Sequence, residues 1–124
     1  MNTISEITQE DKDNELKLIF DKYNLLTECE SYKKYKNIIY DIFVNNNVNQ
    51  VEDKVVFRYI GLYYNYVKKD YTKTKEYYQK SIDLGDPDAI YNMGLYYEET
   101  EKNYDEMKKY YLMAIKLGDS DAMN

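Results

Sequence analysis

Apolar residues in this chain recur every three or four positions, the spacing of a helix with one buried face. Leu16, Ile19, Phe20, Tyr23 and Leu26 predict an amphipathic helix over roughly 14–28. Tyr32, Ile38, Ile39 and Phe43 mark another, followed by a polar, Asn-rich loop at 45–50. Ala89, Ile90, Met93, Tyr96 and Tyr97 predict a helix over 87–100, and Met107, Tyr110, Tyr111, Ala114, Ile115 and Leu117 its partner over 104–117. The punctuation fits. Asp70, Asp86 and Asn103 stand at N-cap positions, and Pro87 suits the first helical position. Gly85 and Gly118 stand where a left-handed C-terminal residue is wanted. Gly61 and Gly94 lie inside helices, where glycine costs about 1 kcal/mol relative to alanine. A close approach by a neighbouring helix is the expected compensation.

An internal repeat organises these elements. Residues 55–87 and 88–120 align without gaps at an offset of 33, with 13 identities in 33 columns. Gly61-Leu62-Tyr63-Tyr64 falls on Gly94-Leu95-Tyr96-Tyr97, Tyr77-Tyr78 on Tyr110-Tyr111, and Leu84-Gly85-Asp86 on Leu117-Gly118-Asp119. Upstream the pattern is worn. The expected fold is all-α: an α-solenoid of about three antiparallel hairpins, the first divergent. Its parts are a polar acidic segment at 1–12, a divergent hairpin at 13–50, repeats at 53–86 and 87–118, and the start of a further unit at 119–124.

These residues resemble a known family. Ile60-Gly61-x-x-Tyr64 and Met93-Gly94-x-x-Tyr97 resemble the Leu-Gly-x-x-Tyr of Sel1-like repeats, which are related to tetratricopeptide repeats. Asp70-Tyr71-x-x-Thr74-x-x-Tyr77-Tyr78 and the Gly-Asp-x-x-Ala junctions at Gly85 and Gly118 are similar to that family's second helix and repeat boundary. The usual Gly-rich inter-helix turn is replaced by Lys68-Lys69-Asp70 and Glu101-Lys102-Asn103. The Tyr/Asn/Lys-rich style resembles the repeat proteins of giant DNA viruses such as mimivirus. The resemblance implies a non-enzymatic scaffold that holds other proteins, in virus–host or intraviral complexes if the source is viral. It also implies a groove lined by Arg58, Leu62 and Asn65, then Tyr91, Leu95 and Glu98.

Composition narrows the chemistry. The 124 residues contain no histidine and one cysteine, Cys29. The commonest general base and zinc ligand are therefore missing, and no internal disulfide or cysteine cluster can form. No catalytic residue, cofactor or metal site is expected. Asp86-x-Asp88 resembles the start of a calcium loop but lacks the remaining ligands, so helix capping explains it. A net charge of -6 argues against nucleic acid as a partner. Membership of a nucleic-acid-directed defence complex stands behind the other readings for that reason. The 17 tyrosines sit in helical register and belong mainly to the core. Residues 1–30 hold eight acids and three lysines, and 1–12 read as a solubilising tail. With no apolar run of membrane length and no readable signal peptide, an intracellular, cytoplasmic setting (the host cytoplasm, if viral) is expected.

The alternative to an adaptor is a self-assembling unit that forms a homo-oligomer. The last hairpin leaves its apolar face, with Met107, Tyr111 and Ile115, without a following helix: either the chain is a piece of a longer array, or this end pairs with a second copy, or it is the landing site of a partner helix.

Overall fold

The computed structural model describes residues 6–123, and the side chains of 119–123 are left aside. The described residues are all-helical, with seven α-helices. They divide into two compact units, parted between Gln50 and Val51.

In the first unit, α1 spans Gln9–Lys22. Thr8 starts it by a capping box: Thr8 Oγ1 accepts from the Asp11 amide at 3.0 Å, and the Asp11 carboxylate accepts from the Thr8 amide at 3.2 Å. The sequence placed this start several residues later, and residues 9–12 are helix rather than tail. Residues 1–5 of the proposed tail lie outside the described residues. The helix also ends early, because Asn24 turns left-handed at φ 57° and the Leu25 amide closes back on the Phe20 carbonyl. Leu26 is consequently exposed. The second amphipathic stretch is two helices, α2 (Glu30–Lys34) and α3 (Lys36–Phe43), parted at Tyr35. Leu16, Phe20, Tyr32, Ile39, Ile42 and Phe43 are buried, with the Phe20 ring 5.0 Å from Tyr32 and 4.8 Å from Phe43. At the rim, Lys36 reaches Asp13 at 2.9 Å and the Tyr40 hydroxyl donates to Glu15 at 2.9 Å. Asp41 gathers the Asn-rich loop, accepting from Asn45, Asn47 and Gln50 at 2.7–2.9 Å.

The second unit contains α4 (Lys54–Tyr63), α5 (Tyr71–Asp83), α6 (Pro87–Tyr96) and α7 (Tyr104–Met123). Helix α4 packs on α5, α5 on α6, and α6 on α7. The Asp70, Asp86 and Asn103 side chains accept from the amides of Lys73, Asp88 and Glu106, as N-caps do. Helices α4 and α6 both widen into a π-helical turn, Tyr64–Lys68 and Tyr97–Glu101. A left-handed lysine follows each, Lys69 at φ 55° and Lys102 at φ 52°. The Asp70 amide then closes on the Tyr64 carbonyl and the Asn103 amide on the Tyr97 carbonyl, both at 2.9 Å.

The two in-helix glycines admit tyrosine rings from the facing helix. A Cβ on Gly61 would overlap the Tyr78 ring, and one on Gly94 would stand 2.6 Å from Tyr111 Cε1. The tyrosine pairs interlock alike in both hairpins, with Tyr64 stacked on Tyr77 at 5.6 Å and Tyr97 on Tyr110 at 5.7 Å.

The two junction glycines diverge. Gly85 adopts φ 90° and ends α5. Gly118 lies within α7, which continues to Met123 instead of opening a new unit at 119. The difference lies two residues on. Pro87 has no amide hydrogen and disfavours helix before it, whereas Ser120 stands in its place after Gly118 and lets the helix run on.

Candidate functional site

The six residues expected to line one groove do not share a surface. Arg58, Leu62 and Asn65 on α4 and its π turn are buried. Tyr91 on α6 is 51% exposed, while Leu95 and Glu98 are half-buried. The reason is the position of α6. Its N-cap Asp86 accepts from Arg58 Nε at 2.7 Å with both side chains buried, and Ser81 Oγ donates to the same carboxylate at 3.1 Å. Burial works against the Arg58 charge, but the hydrogen bond and charge of Asp86 outweigh it and hold the guanidinium firmly protonated. Asn65 hydrogen-bonds the Tyr78 phenol, which burial keeps protonated well above the ordinary tyrosine range. Arg58 and Asn65 are therefore structural, and Leu62 is core.

Further along α6, Lys75 of α5 reaches Glu101 at 2.8 Å, and the Tyr96 hydroxyl donates to the same carboxylate at 2.6 Å. These two bonds hold the Glu101 carboxyl below the usual range. Burial, then the bond to Glu101, pushes Tyr96 up. Tyr71 of α5 lies 5.9 Å from the Tyr96 ring.

The corresponding face of the second hairpin is open. Thr74, Tyr78 and Ser81 on α5 are fully buried, but their counterparts Met107, Tyr111 and Ala114 on α7 are only half-buried. Ile115 is 58% exposed. The Tyr111 hydroxyl donates to Glu98 at 2.6 Å, and its ring lies 5.6 Å from Tyr91. Met107, Tyr111 and Ile115, picked out from the sequence as an end face, are thus joined by Tyr91 and Glu98. Leu112 and Met113 are exposed at 59% and 40% on other sides of α7, and Leu117 is exposed as well; their counterparts Gln79, Lys80 and Leu84 stay exposed on the first hairpin although α6 covers it. The sequence analysis overlooked Leu112 and Met113. Their signal was in the repeat alignment, where they stand against the polar Gln79 and Lys80 of the first copy.

Among the described residues, no group of three histidine, cysteine or carboxylate side chains is placed to hold a metal ion, and no helix is long and apolar enough to cross a membrane. Cys29 is half-buried, with Sγ 3.5 Å from Ser31 Oγ. A shallow depression on the first unit is lined by Asp13, Lys17, Glu28, Lys33 and Lys36, whose charges pair with carboxylates and ammonium groups of the same unit. No protein-family model, curated protein or solved structure matches the chain.

Proposed function

We propose that this chain is a non-enzymatic protein-interaction scaffold of Sel1/tetratricopeptide-like helical repeats, and that it docks protein through the open α6–α7 face. One observation carries the reading: on the side of α7 where the first hairpin buries Thr74, Tyr78 and Ser81, the counterparts Met107, Tyr111 and Ala114 are only half-buried, and Tyr104 and Ile115 beside them are exposed. A contiguous apolar surface of this kind marks a binding site more often than scattered single residues do. The π turns, left-handed lysines and glycine–tyrosine interlocks, each occurring twice 33 residues apart, support the repeat reading. The groove drops out of the proposal, since Arg58, Leu62 and Asn65 are buried. Self-association through the same face is the second reading, favoured by the same exposed residues.

The test is sedimentation together with affinity capture, comparing wild type with Ile115→Asp and Tyr104→Asp. Both positions are exposed, so the variants should keep wild-type helicity. Under the scaffold reading, wild type sediments as a monomer and loses its captured protein in the variants. A wild-type dimer that the variants dissolve establishes self-assembly instead. Captured protein that binds the variants equally well removes this face from the proposal.

A further inference from the structure

The molecule already shows what covers this kind of face, because α6 covers it on the first hairpin. Ala89, Met93 and Tyr96 fall on one side of α6 and are all buried. Tyr96 meets Tyr71 of α5, and Glu101, beyond the end of α6, meets Lys75. Each receiving group recurs on the second hairpin 33 residues later. Tyr104 stands for Tyr71 and is 57% exposed, and Lys108 stands for Lys75 and is exposed. Met107 and Tyr111 stand for Thr74 and Tyr78 between them. The middle of the face is more apolar, with Met107 for Thr74 and Ala114 for Ser81, and its head has changed as well. Tyr91 replaces Arg58, so an occupant needs no buried carboxylate at its N-terminus.

Resting on the docking reading above, we infer that the α6–α7 face receives an amphipathic partner helix with the pattern α6 itself carries: a small residue at i, an aliphatic one at i+4, an aromatic one at i+7 and a carboxylate at i+12. The small residue sits beside Tyr91, where the helix start approaches closely. The aliphatic side chain enters between Met107 and Tyr111, the aromatic one lies on Tyr104, and the carboxylate pairs with Lys108. Helix α4 of a second copy cannot supply this helix. On α4 the positions equivalent to Ala89 and Met93 are Val56 and Ile60, and both are already buried. The favourable charge contact also selects against basic helices at the carboxylate position.

The probe is a fluorescein-labelled synthetic peptide with the sequence of residues 86–102, titrated with the full chain and followed by anisotropy. Saturable binding is expected. Ile115→Asp or Met107→Asp in the chain should weaken it at least tenfold. Replacing the peptide's glutamate at position 101 by lysine should weaken it severalfold, and Lys108→Glu in the chain should restore binding to that altered peptide. Loss of restoration, or binding indifferent to Ile115→Asp, overturns the inference. If the peptide fails to bind while Ile115→Asp still dissolves a dimer or releases a captured protein, the face is a docking site but this occupant is wrong. If neither occurs, the docking reading falls as well. Circular dichroism of each variant confirms that the fold is intact.

Discussion

Arg58, the chain's single arginine, reaches from α4 to Asp86 at the start of α6, Nε to Oδ2 at 2.7 Å, with both side chains buried. Removing either partner strands the other charge away from water, a loss of about 3–5 kcal/mol. Asp86→Ala additionally removes the cap on the Asp88 amide, worth about 1 kcal/mol. Arg58→Met with Asp86→Asn leaves no buried charge and keeps a capping side chain. Urea denaturation of the four proteins should show the double variant well above the sum of the single losses. Additive losses would mean the pair is not coupled.

Lys69 and Lys102 hold left-handed backbone, exposed, at the end of each π turn. That conformation costs a non-glycine residue about 1–2 kcal/mol, partly offset by the extra freedom glycine gains when unfolded. Lys69→Gly and Lys102→Gly should each stabilise the chain by about 0.5–1 kcal/mol, read as a rise in the midpoint of thermal unfolding. A fall at both positions would show that the lysine side chains hold the turn.

Alanine should hurt at Gly61 more than at Gly94, although helix propensity favours it equally at both. The Tyr78 ring beside Gly61 is fully buried and has no room to retreat, whereas Tyr111 beside Gly94 borders the open face. Overpacking of this kind costs about 1–3 kcal/mol. Gly61→Ala should reach the upper end and Gly94→Ala about 1 kcal/mol or less. Equal urea midpoints for the two variants would contradict the difference in packing.

Stability should fall at both ends of the pH scale. Hydrogen bonds from Lys75 and Tyr96 hold Glu101 below its ordinary 4.5, so its contribution is present above that pH and lost as pH falls through the folded value. Asp13 and Asp41 are lowered by side-chain hydrogen bonds and act in the same direction. Tyr78, Tyr96 and Tyr111 are raised above 10.0, chiefly by burial. Their contribution is present below that pH and lost as pH rises through the folded values. Glu101→Gln should flatten the acid limb measured by urea denaturation between pH 5 and pH 3. Superimposable acid limbs for variant and wild type would remove Glu101 from this account.

The all-helical character was legible because apolar spacing and capping side chains are local signals. Asp70, Asp86 and Asn103 cap as expected, and Gly85 turns as expected. The fate of Gly118 was harder to see, because it turns on whether the residue two positions on can donate an amide hydrogen. The family resemblance suggested that the residues after the helix glycines face a partner. Yet Arg58 is 28 positions from Asp86, and a pairing over that distance leaves no periodic trace. The same limit hid the left-handed lysines, whose backbone follows from the geometry of the π turn before them. The exposed end of α7 was half legible. Ile115 stood out by helical spacing, whereas Leu112 and Met113 emerge only when the two copies are compared for what changed.

Helix α6 is tied at both extremities, Asp86 before its first turn to Arg58 and Glu101 beyond its last to Lys75. The apolar contacts between these ties have no direction and would tolerate a slip of one turn, about 5.4 Å along the axis. The ties would not, since sliding α6 either way stretches two bonds anchored on different helices. Axial alignment is therefore fixed separately from core composition. Ala89 and Met93 are free to drift through other small and aliphatic residues while α6 keeps its place, and successive generations of this protein can change their interior without losing count of their turns.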